Sequence, residues 1–252
     1  MRPRVLCNFA LSLDGKATTR THSPSGFTGP HDKERFAEIR ACGDGLLVGA
    51  RTVAADNMSM GISDPALRAA RIARGQTPEP VRVIATSSGR INPQWKVFQN
   101  ARSPLVIFTS RRAPASLRDK LPGFCQLRVT HGRSVDLPSM LETLRRDFDI
   151  RTLVCEGGPA LVHALAACEA IDEIFLTYTG KIFGGFKAPT LTGLPTPEFL
   201  KPVDFLFHTI YSKNGEIFLH LLRRGNAKSS VRGRLRTDSE HFSSKKKLCN
   251  AS

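Results

Sequence analysis

Short apolar runs alternate with amphipathic stretches along most of the chain. The apolar runs predict strands over residues 5–13, 45–49, 81–85, 105–109, 126–129, 152–155 and 173–178. Between the runs, helical spacing of apolar residues or helix-capping signals predict helices over 30–42, 51–56, 64–73, 136–148 and 160–168. This alternation predicts an α/β fold, in which helices cover both faces of a mainly parallel sheet.

The end of the folded part has a different pattern. Two apolar segments, 205–211 and 216–222, flank a turn at Lys213-Asn214-Gly215, which predicts an antiparallel hairpin at one side of the sheet. Residues 225–252 are basic, rich in serine and poor in large apolar side chains, so we expect a disordered tail. Residues 1–224 are therefore predicted to form one domain.

The positive charge is divided between these two parts. The 252 residues carry 37 Lys and Arg against 22 Asp and Glu, a formal charge of +15. From Arg223 onward, nine basic residues face only Asp238 and Glu240, which leaves +8 on the rest of the chain. Such charge indicates nucleic acid, an anionic membrane or a phosphorylated ligand. No aromatic platform accompanies the tail, which favours a solvated tail over a nucleic-acid site.

Several classes of protein are excluded by what the sequence lacks. No apolar run approaches the roughly 18 residues of a membrane-spanning helix, and the first residues do not resemble a signal peptide. The six cysteines have no zinc spacing, and the seven histidines form no H-x-x-x-H motif, so we expect no bound metal. We interpret the cysteines as reduced thiols of a cytoplasmic protein.

The strongest chemical signal is the sequence TLVCEGGPALVHAL at 152–165, where a strand leads through Glu156-Gly157-Gly158 into a helix. Glycines let the backbone approach a ligand, and the helix N-terminus attracts anions, so a phosphate or diphosphate is expected here. Glu156 would then face another part of the ligand, such as the amino groups of a substrate. An ordinary tightly packed βα turn explains the glycines equally well.

Three further strand ends carry polar groups. The sequence NFALSLDG at 8–15 opens a polar loop over 14–29 that suits a substrate flap, although Asp-Gly is also a common turn. Thr52 and Asp56 lie four residues apart on one helical face and can bind ribose or amide groups, with helix capping as the alternative. The hydroxyl-rich segment 86–89 can accept a phosphate.

These motifs, in this order, resemble the pyrimidine reductases of riboflavin biosynthesis, which are related in fold to dihydrofolate reductase. The resemblance rests on SLDG, IRACGDGLLVGARTVAAD, PVRVIATSSGRINP, LVCEGGPALVHAL with IDEIFL, and GKIFGG, and it spans about residues 4–223. Asn8 before the SLDG motif and the later sequence KIFGGFKAPT are similar to the stand-alone archaeal and fungal form. The resemblance implies NADPH-dependent reduction of a 5′-phosphoribosylamino-pyrimidine to its ribitylamino form, by an enzyme that is typically a homodimer.

The resemblance also implies roles for individual residues. Contacts to NADPH fall to Ala10 near the nicotinamide, to Thr52, Asp56, Thr86 and Ser87, and to Gly157, Gly158, Pro159 and Ala160 around the diphosphate. Contacts to the substrate fall to Ser25, Arg40 and Glu156. Catalytic roles fall to Glu156 and Asn8.

One segment departs from the family pattern. After the aspartate, the family usually reads D-[DN]-P-x-L-T-x-R, and its arginine binds the substrate phosphate, whereas this chain reads DNMSMGIS over 56–63. Arg68 or Arg71 on the following helix are candidates to replace that charge. The missing arginine leaves open a reductase of dihydrofolate or another pterin. A third alternative is a basic nucleic-acid-binding protein with an inactive body, against which the retained motifs argue.

Overall fold

A computed structural model describes residues 1–18, 26–194 and 198–225, together with the backbone of 234–236. One sheet contains the strands β1 (Arg4–Leu11), β2 (Gly45–Gly49), β3 (Val81–Thr86), β4 (Leu105–Ser110), β5 (Cys125–Thr130), β6 (Thr152–Cys155), β7 (Glu173–Thr179), β8 (Phe205–Lys213), β9 (Glu216–Arg223) and β10 (Arg234–Arg236). The helices are α1 (Pro30–Cys42), α2 (Ala50–Asp56), α3 (Pro65–Ala73), α4 (Leu137–Phe148) and α5 (Pro159–Ala167). Two short 3₁₀ turns, Lys96–Phe98 and Ala115–Lys120, were not expected from the sequence.

The strand order is β10-β8-β9-β7-β1-β6-β2-β3-β4-β5. All neighbours from β7 to β5 pair in parallel, whereas β9 pairs antiparallel with both β7 and β8. The predicted fold class, a mainly parallel mixed sheet with a terminal antiparallel hairpin, is therefore confirmed. Because parallel strands start at the same edge, the carboxyl ends of β6, β1, β7 and β2–β5 lie together along the other edge.

Two hydrophobic clusters cover the two faces of the sheet. Leucines of α4 and α5 pack on one face against side chains such as Val83 and Leu153. On the other face, Ile39 of α1 and Val53 of α2 pack against Leu6 and Val48. Two helices begin where their capping residues predict. The side chains of Asp64 and Asp136 accept hydrogen bonds from backbone N–H groups at the N-termini of α3 and α4.

The C-terminal hairpin leaves β8 near the sheet edge, where β10 pairs with it in parallel. An edge strand offers unpaired backbone groups, and a short segment such as 234–236 can satisfy them. These three residues lie inside the segment 225–252, for which the composition predicts disorder. The other residues of that segment beyond Gly225 lie outside the described part of the chain, and its division from the domain stays a prediction.

Cys7, Cys125, Cys155 and Cys168 are free thiols, as expected, whereas Cys42 is disulfide-bonded. The expectation of reduced thiols is therefore confirmed for these four cysteines and wrong for Cys42. Within the described residues, no helix is long and apolar enough to span a bilayer. No group of three potential metal ligands occurs there either.

Candidate active site

The Glu-Gly-Gly segment continues the sheet beyond the end of β6. The backbone N–H of Glu156 donates to the carbonyl of Leu47 at 3.0 Å, and Gly49 N–H donates to the carbonyl of Gly157 at 2.7 Å. The segment is thus fixed against β2 before α5 begins. The peptide between Gly157 and Gly158 is cis.

Both glycines are required by close contacts. Gly157 has φ +100°, and a Cβ there would lie 3.2 Å from the ring of Phe9. A Cβ at Gly158 would collide with the hydroxyl of Thr52. The backbone before α5 therefore lies directly against α2.

In the first turn of α5, Pro159 has no N–H, and the N–H groups of Leu161 and Val162 donate to the carbonyl of Gly158 at 2.9 and 3.2 Å. The N–H of Ala160, at the positive end of the helix, completes a site that suits an anion.

A loop that the sequence motifs did not single out lies over this helix terminus. Thr190 and Gly193 exchange backbone hydrogen bonds of 2.9 and 3.1 Å. A Cβ at Gly193, which has φ +103°, would lie 3.8 Å from the backbone nitrogen of Ala160 and from Pro159. The loop narrows the space above the N-terminus of α5.

Arg40 and Glu156 form a buried ion pair beside these glycines. Nε and Nη2 of Arg40 donate to the two carboxylate oxygens of Glu156 at 2.7 and 2.6 Å. The Glu156 side chain is only 1 % exposed and that of Arg40 is 16 % exposed. Burial lowers the pKa of Arg40, but the charge and hydrogen bonds of Glu156 outweigh burial, so the pKa is raised. Nη1 also donates to the carbonyl of Gly61 at 2.9 Å, which leaves the guanidinium little freedom.

Asp56 lies near the same pair. Burial, and then the negative charge of Glu156, raise the pKa of Asp56 above its ordinary value. Asp56 shares α2 with Thr52, which touches Gly158. The structure therefore brings together Thr52, Asp56, Glu156 and the two glycines.

A second polar cluster, which no motif of the sequence predicts, joins α1 to β7. The hydroxyl of Thr177 donates to Asp32 at 2.6 Å and lies 3.3 Å from Nη1 of Arg35. The Arg35 guanidinium is buried between the rings of Phe175 and Phe218, 5.4 Å from each centroid. Asp32, Arg35 and Arg40 all reach sheet residues, so the inner side of α1 carries charges where an amphipathic helix carries apolar residues.

β1 runs between these two clusters. In the parallel ladder with β7, Asn8 lies opposite Phe175 and Ala10 lies opposite Thr177. Both belong to the alternate positions of β1 that face α1, as does the buried Leu6. The residues predicted at the end of β1 thus share one face with Glu156 and Arg40.

The chain is similar to known proteins over most of its length. The family model for the RibD C-terminal domain matches residues 3–205. The chain belongs to this family.

Two archaeal family members resemble the chain over most of their own length. A protein of Methanothermobacter thermautotrophicus named 2,5-diamino-6-ribosylamino-4(3H)-pyrimidinone 5′-phosphate reductase is 36 % identical over 191 residues, covering 76 % of this chain and 84 % of the relative. A protein of Archaeoglobus fulgidus with the same name is 31 % identical over 191 residues, covering 76 % and 86 %.

Solved structures agree on the fold. A pyrimidine reductase-like protein from Corynebacterium diphtheriae superimposes with a TM-score of 0.78 at 18 % identity and covers 88 % of this chain and 92 % of its own. The riboflavin biosynthesis reductase Rib7 of Saccharomyces cerevisiae gives a TM-score of 0.63 at 18 % identity, covering 88 % and 90 %. At these identities the likeness shows the shared fold.

Two RibD-family motifs are joined by one carboxylate. Asp14 accepts hydrogen bonds from the hydroxyl of Ser12 at 2.6 Å and from the N–H groups of Phe183 and Gly184 at 3.0 and 2.8 Å. The Ser12 hydroxyl, and then the Phe183 N–H, lower the pKa of Asp14 to about 2. Asp14 therefore ties the SLDG turn to the GKIFGG loop. Ser25, predicted to contact the substrate, lies outside the described residues.

Hydroxyl groups at the ends of β3–β5 hold neighbouring strands together. Thr109 donates to the carbonyl of Thr86 at 2.7 Å, Thr130 donates to that of Thr109 at 3.1 Å, and Ser110 donates to that of Ser87 at 2.6 Å. The Ser87 hydroxyl itself accepts from the N–H of Val135 at 3.2 Å. Thr86 and Ser87, predicted to contact the cofactor, thus belong to a row of strand-end hydrogen bonds.

The arginine that this chain lacks relative to the family pattern is not replaced by Arg71. Arg71 is fully buried, and it donates to the carbonyls of Thr77 and Ala41 at 2.8 and 2.9 Å, so it cannot reach a phosphate. Burial lowers its pKa to about 10. Arg68 donates to the carbonyl of Ile62 at 2.6 Å and lies 3.8 Å from Glu79. Both arginines stabilise local backbone, a use that spacing along the sequence does not reveal.

Proposed function

We propose that this protein catalyses the NADPH-dependent reduction of a 5′-phosphoribosylamino-pyrimidine to its ribitylamino form in riboflavin biosynthesis. The observation that carries the proposal is the close approach of the Gly157–Gly158 backbone to Thr52, directly beside the buried Arg40–Glu156 pair. This arrangement combines a place for a diphosphate with polar groups for a second ligand. The names of the archaeal relatives, which match over most of their length, support the same activity.

The residues at the N-terminus of α5 fit the diphosphate of a nicotinamide cofactor. Gly157, Gly158, Pro159 and Ala160 provide an approachable backbone with no side chain larger than proline, and the N–H of Ala160 at the helix N-terminus favours negative charge. Thr52 contributes a hydroxyl from the opposite side. When bound, NADPH supplies the hydride that reduces C1′ of the sugar.

The Arg40–Glu156 pair fits the floor of a substrate site. Glu156 accepts both hydrogen bonds from Arg40, which fixes the guanidinium while part of it stays exposed. We infer that Glu156 acts by holding Arg40 and that Arg40 contacts the substrate. Asn8 and Ala10, on the same face of β1, would line the space between the two ligands and exclude water from the reacting carbon.

The experiment that tests this proposal follows NADPH oxidation by absorbance with the purified full-length protein. The ribosylaminopyrimidine phosphate and dihydrofolate are supplied in separate reactions, and product is identified by mass spectrometry. We expect oxidation with the pyrimidine, with addition of two hydrogen atoms to it. Oxidation with dihydrofolate alone would favour the pterin reductase, and no oxidation by folded protein with either would exclude both enzymes.

Two accompanying features remain predictions. A homodimer is implied by the resemblance to the family, and a cytoplasmic location by the scattered cysteines of the sequence. Light scattering of the purified protein, and fluorescence microscopy of a tagged chain in cells, test them. The basic tail keeps nucleic-acid binding open as an alternative function. If the tail takes no part in catalysis, a chain that ends at residue 225 should retain full reductase activity.

A further inference from the structure

A buried carboxylate holds the segment that leads into α1. Oε1 of Glu216, the first residue of β9, accepts a hydrogen bond from the N–H of Gly29 at 2.7 Å. The contact is tight, because a Cβ at Gly29 would lie 3.1 Å from Oε2 of Glu216. Gly29 is the N-cap of α1 and has no side chain that could cap the helix. The carboxylate therefore also places negative charge at the positive end of α1.

Burial of this carboxylate has a cost that its surroundings do not offset. Glu216 is only 6 % exposed. Within the part of the chain that the structure describes, Oε2 of Glu216 has no hydrogen-bond partner, and neither has the buried hydroxyl of Thr179, its neighbour in the β7–β9 ladder. Polar atoms that stay buried and unpaired lower stability. Their presence at this position indicates a role in function rather than a stabilising contact.

Loops at the carboxyl edge of the sheet form a wall around the held segment. Nζ of Lys181 donates to the carbonyl of Phe27 at 2.5 Å, and the rings of Phe27 and Phe183 pack edge to face with centroids 4.9 Å apart. Asp14 binds the N–H of Phe183 from the other side. Both ends of the predicted substrate flap are therefore anchored, the start by Asp14 and the end by Lys181 and Glu216.

This wall lies on the side of β1 that is away from the proposed cofactor site. Because β9 is antiparallel to β7, Glu216 lies opposite Thr179, at the carboxyl end of β7. The strand order β9-β7-β1-β6 places β9 three strands from β6, which is about 14 Å. Glu216 is therefore too far from the diphosphate predicted beyond β6, whereas the end of β1 lies between the two.

We propose that Glu216 is a positioning residue for the pyrimidine substrate, because it fixes residues 26–29 and the N-terminus of α1 as one wall of the substrate site. The carboxylate is buried and acts through Gly29 rather than by touching the substrate. From this fixed end, α1 extends to Arg40, the proposed substrate contact. This inference rests on the proposed function, since it assigns a residue to the substrate of the same reaction.

Kinetics and hydrogen exchange of Glu216→Ala test the assignment. We expect the KM for the ribosylaminopyrimidine phosphate to rise about tenfold, because the variant loses a hydrogen bond to a charged group. The kcat should change less than about threefold, since a loss of substrate binding alone raises KM, and the Kd of NADPH less than about twofold. Deuterium exchange of the amides around Gly29, measured by mass spectrometry of the full chain, should become faster.

Two further variants separate positioning from stability. Glu216→Gln keeps an oxygen that accepts from Gly29, so its KM should lie within about threefold of the natural value and its exchange should stay slow. Gly29→Ala places a Cβ against Oε2 and should raise the KM in the natural chain. It should add little in the Glu216→Ala background, because the same contact is already lost. If Glu216→Ala does not fold, unchanged KM and exchange in Gly29→Ala would contradict the assignment.

Glu142→Ala is the matched control. It removes an exposed carboxylate from α4, which covers the other face of the sheet, and should leave KM and exchange unchanged. An equal rise of KM in the control, or additive effects of the Gly29 and Glu216 variants, would overturn the assignment. Turnover with an unchanged KM in Glu216→Ala contradicts only the role of Glu216, whereas no turnover of the pyrimidine by the natural chain contradicts the proposed function.

Discussion

The carboxyl edge of the sheet has two halves that treat charge in opposite ways. In the inner half, at the ends of β6, β1 and β7, the charged side chains of Arg40, Glu156 and Arg35 are buried and partnered. In the outer half, at the ends of β3–β5, hydroxyls bind neighbouring carbonyls while arginines such as Arg111 stay exposed. Burial fixes charged groups in place before a ligand arrives, whereas exposed arginines stay solvated.

The largest effect is expected from breaking the buried pair. Arg40→Met keeps most of the side-chain volume but leaves the Glu156 carboxylate buried without its partner. We expect the free energy of unfolding to fall by about 3–5 kcal/mol, as found for broken buried ion pairs. Urea unfolding followed by circular dichroism measures the change.

Two further variants serve as controls for this result. Arg145→Ala removes an arginine from the exposed pair with Asp149 and should lower the free energy of unfolding far less than Arg40→Met does. The double variant Arg40→Met, Glu156→Leu should recover most of the stability, because apolar pairs often replace buried ion pairs without loss. Neither the single nor the double variant should have reductase activity, because both lack the Arg40 guanidinium. A loss below about 1 kcal/mol in Arg40→Met would show that the inner half is not organised by this pair.

Within the inner half, features differ in how far the sequence predicts them. Apolar runs predict the strands, and the combination of Gly157, Gly158 and a following helix predicts the anion site, because both depend on neighbours along the chain. Asp32 and Thr177 meet although 145 positions separate them, and neither belongs to a local pattern. Arg35 contradicts the amphipathic pattern of a surface helix, because this charged side chain lies on the side of α1 that faces the sheet.

The segment after Asp56 shows why a resemblance does not fix every residue. Met60, at φ 59°, is fully buried in the cluster under α2, within the segment whose family pattern ends in an arginine. Packing of Met60 and the bond from Arg40 to the carbonyl of Gly61 determine the path of this segment. The roles of the predicted binding residues stay predictions, which measurements of ligand binding test.

A smaller effect is expected at Gly158, where the two halves meet. Gly158→Ala places a Cβ against the hydroxyl of Thr52, so we expect a loss of about 1–3 kcal/mol in unfolding free energy, the usual cost of overpacking. Adding Thr52→Ala removes the colliding hydroxyl and should restore much of that loss. Thermal unfolding measures both. If the second substitution restores nothing, the close approach of α2 to the glycine turn is not what requires Gly158.

The smallest effect is expected in the outer half, at Thr109. Thr109→Val keeps the shape of the fully buried side chain but removes the hydrogen bond to the carbonyl of Thr86, which should cost about 1 kcal/mol. The affinity for NADPH should not change, because this hydroxyl is used within the sheet. Urea unfolding and NADPH titration of Thr109→Val measure both quantities, and a loss of NADPH affinity in this variant would contradict the assignment of the hydroxyl to the sheet.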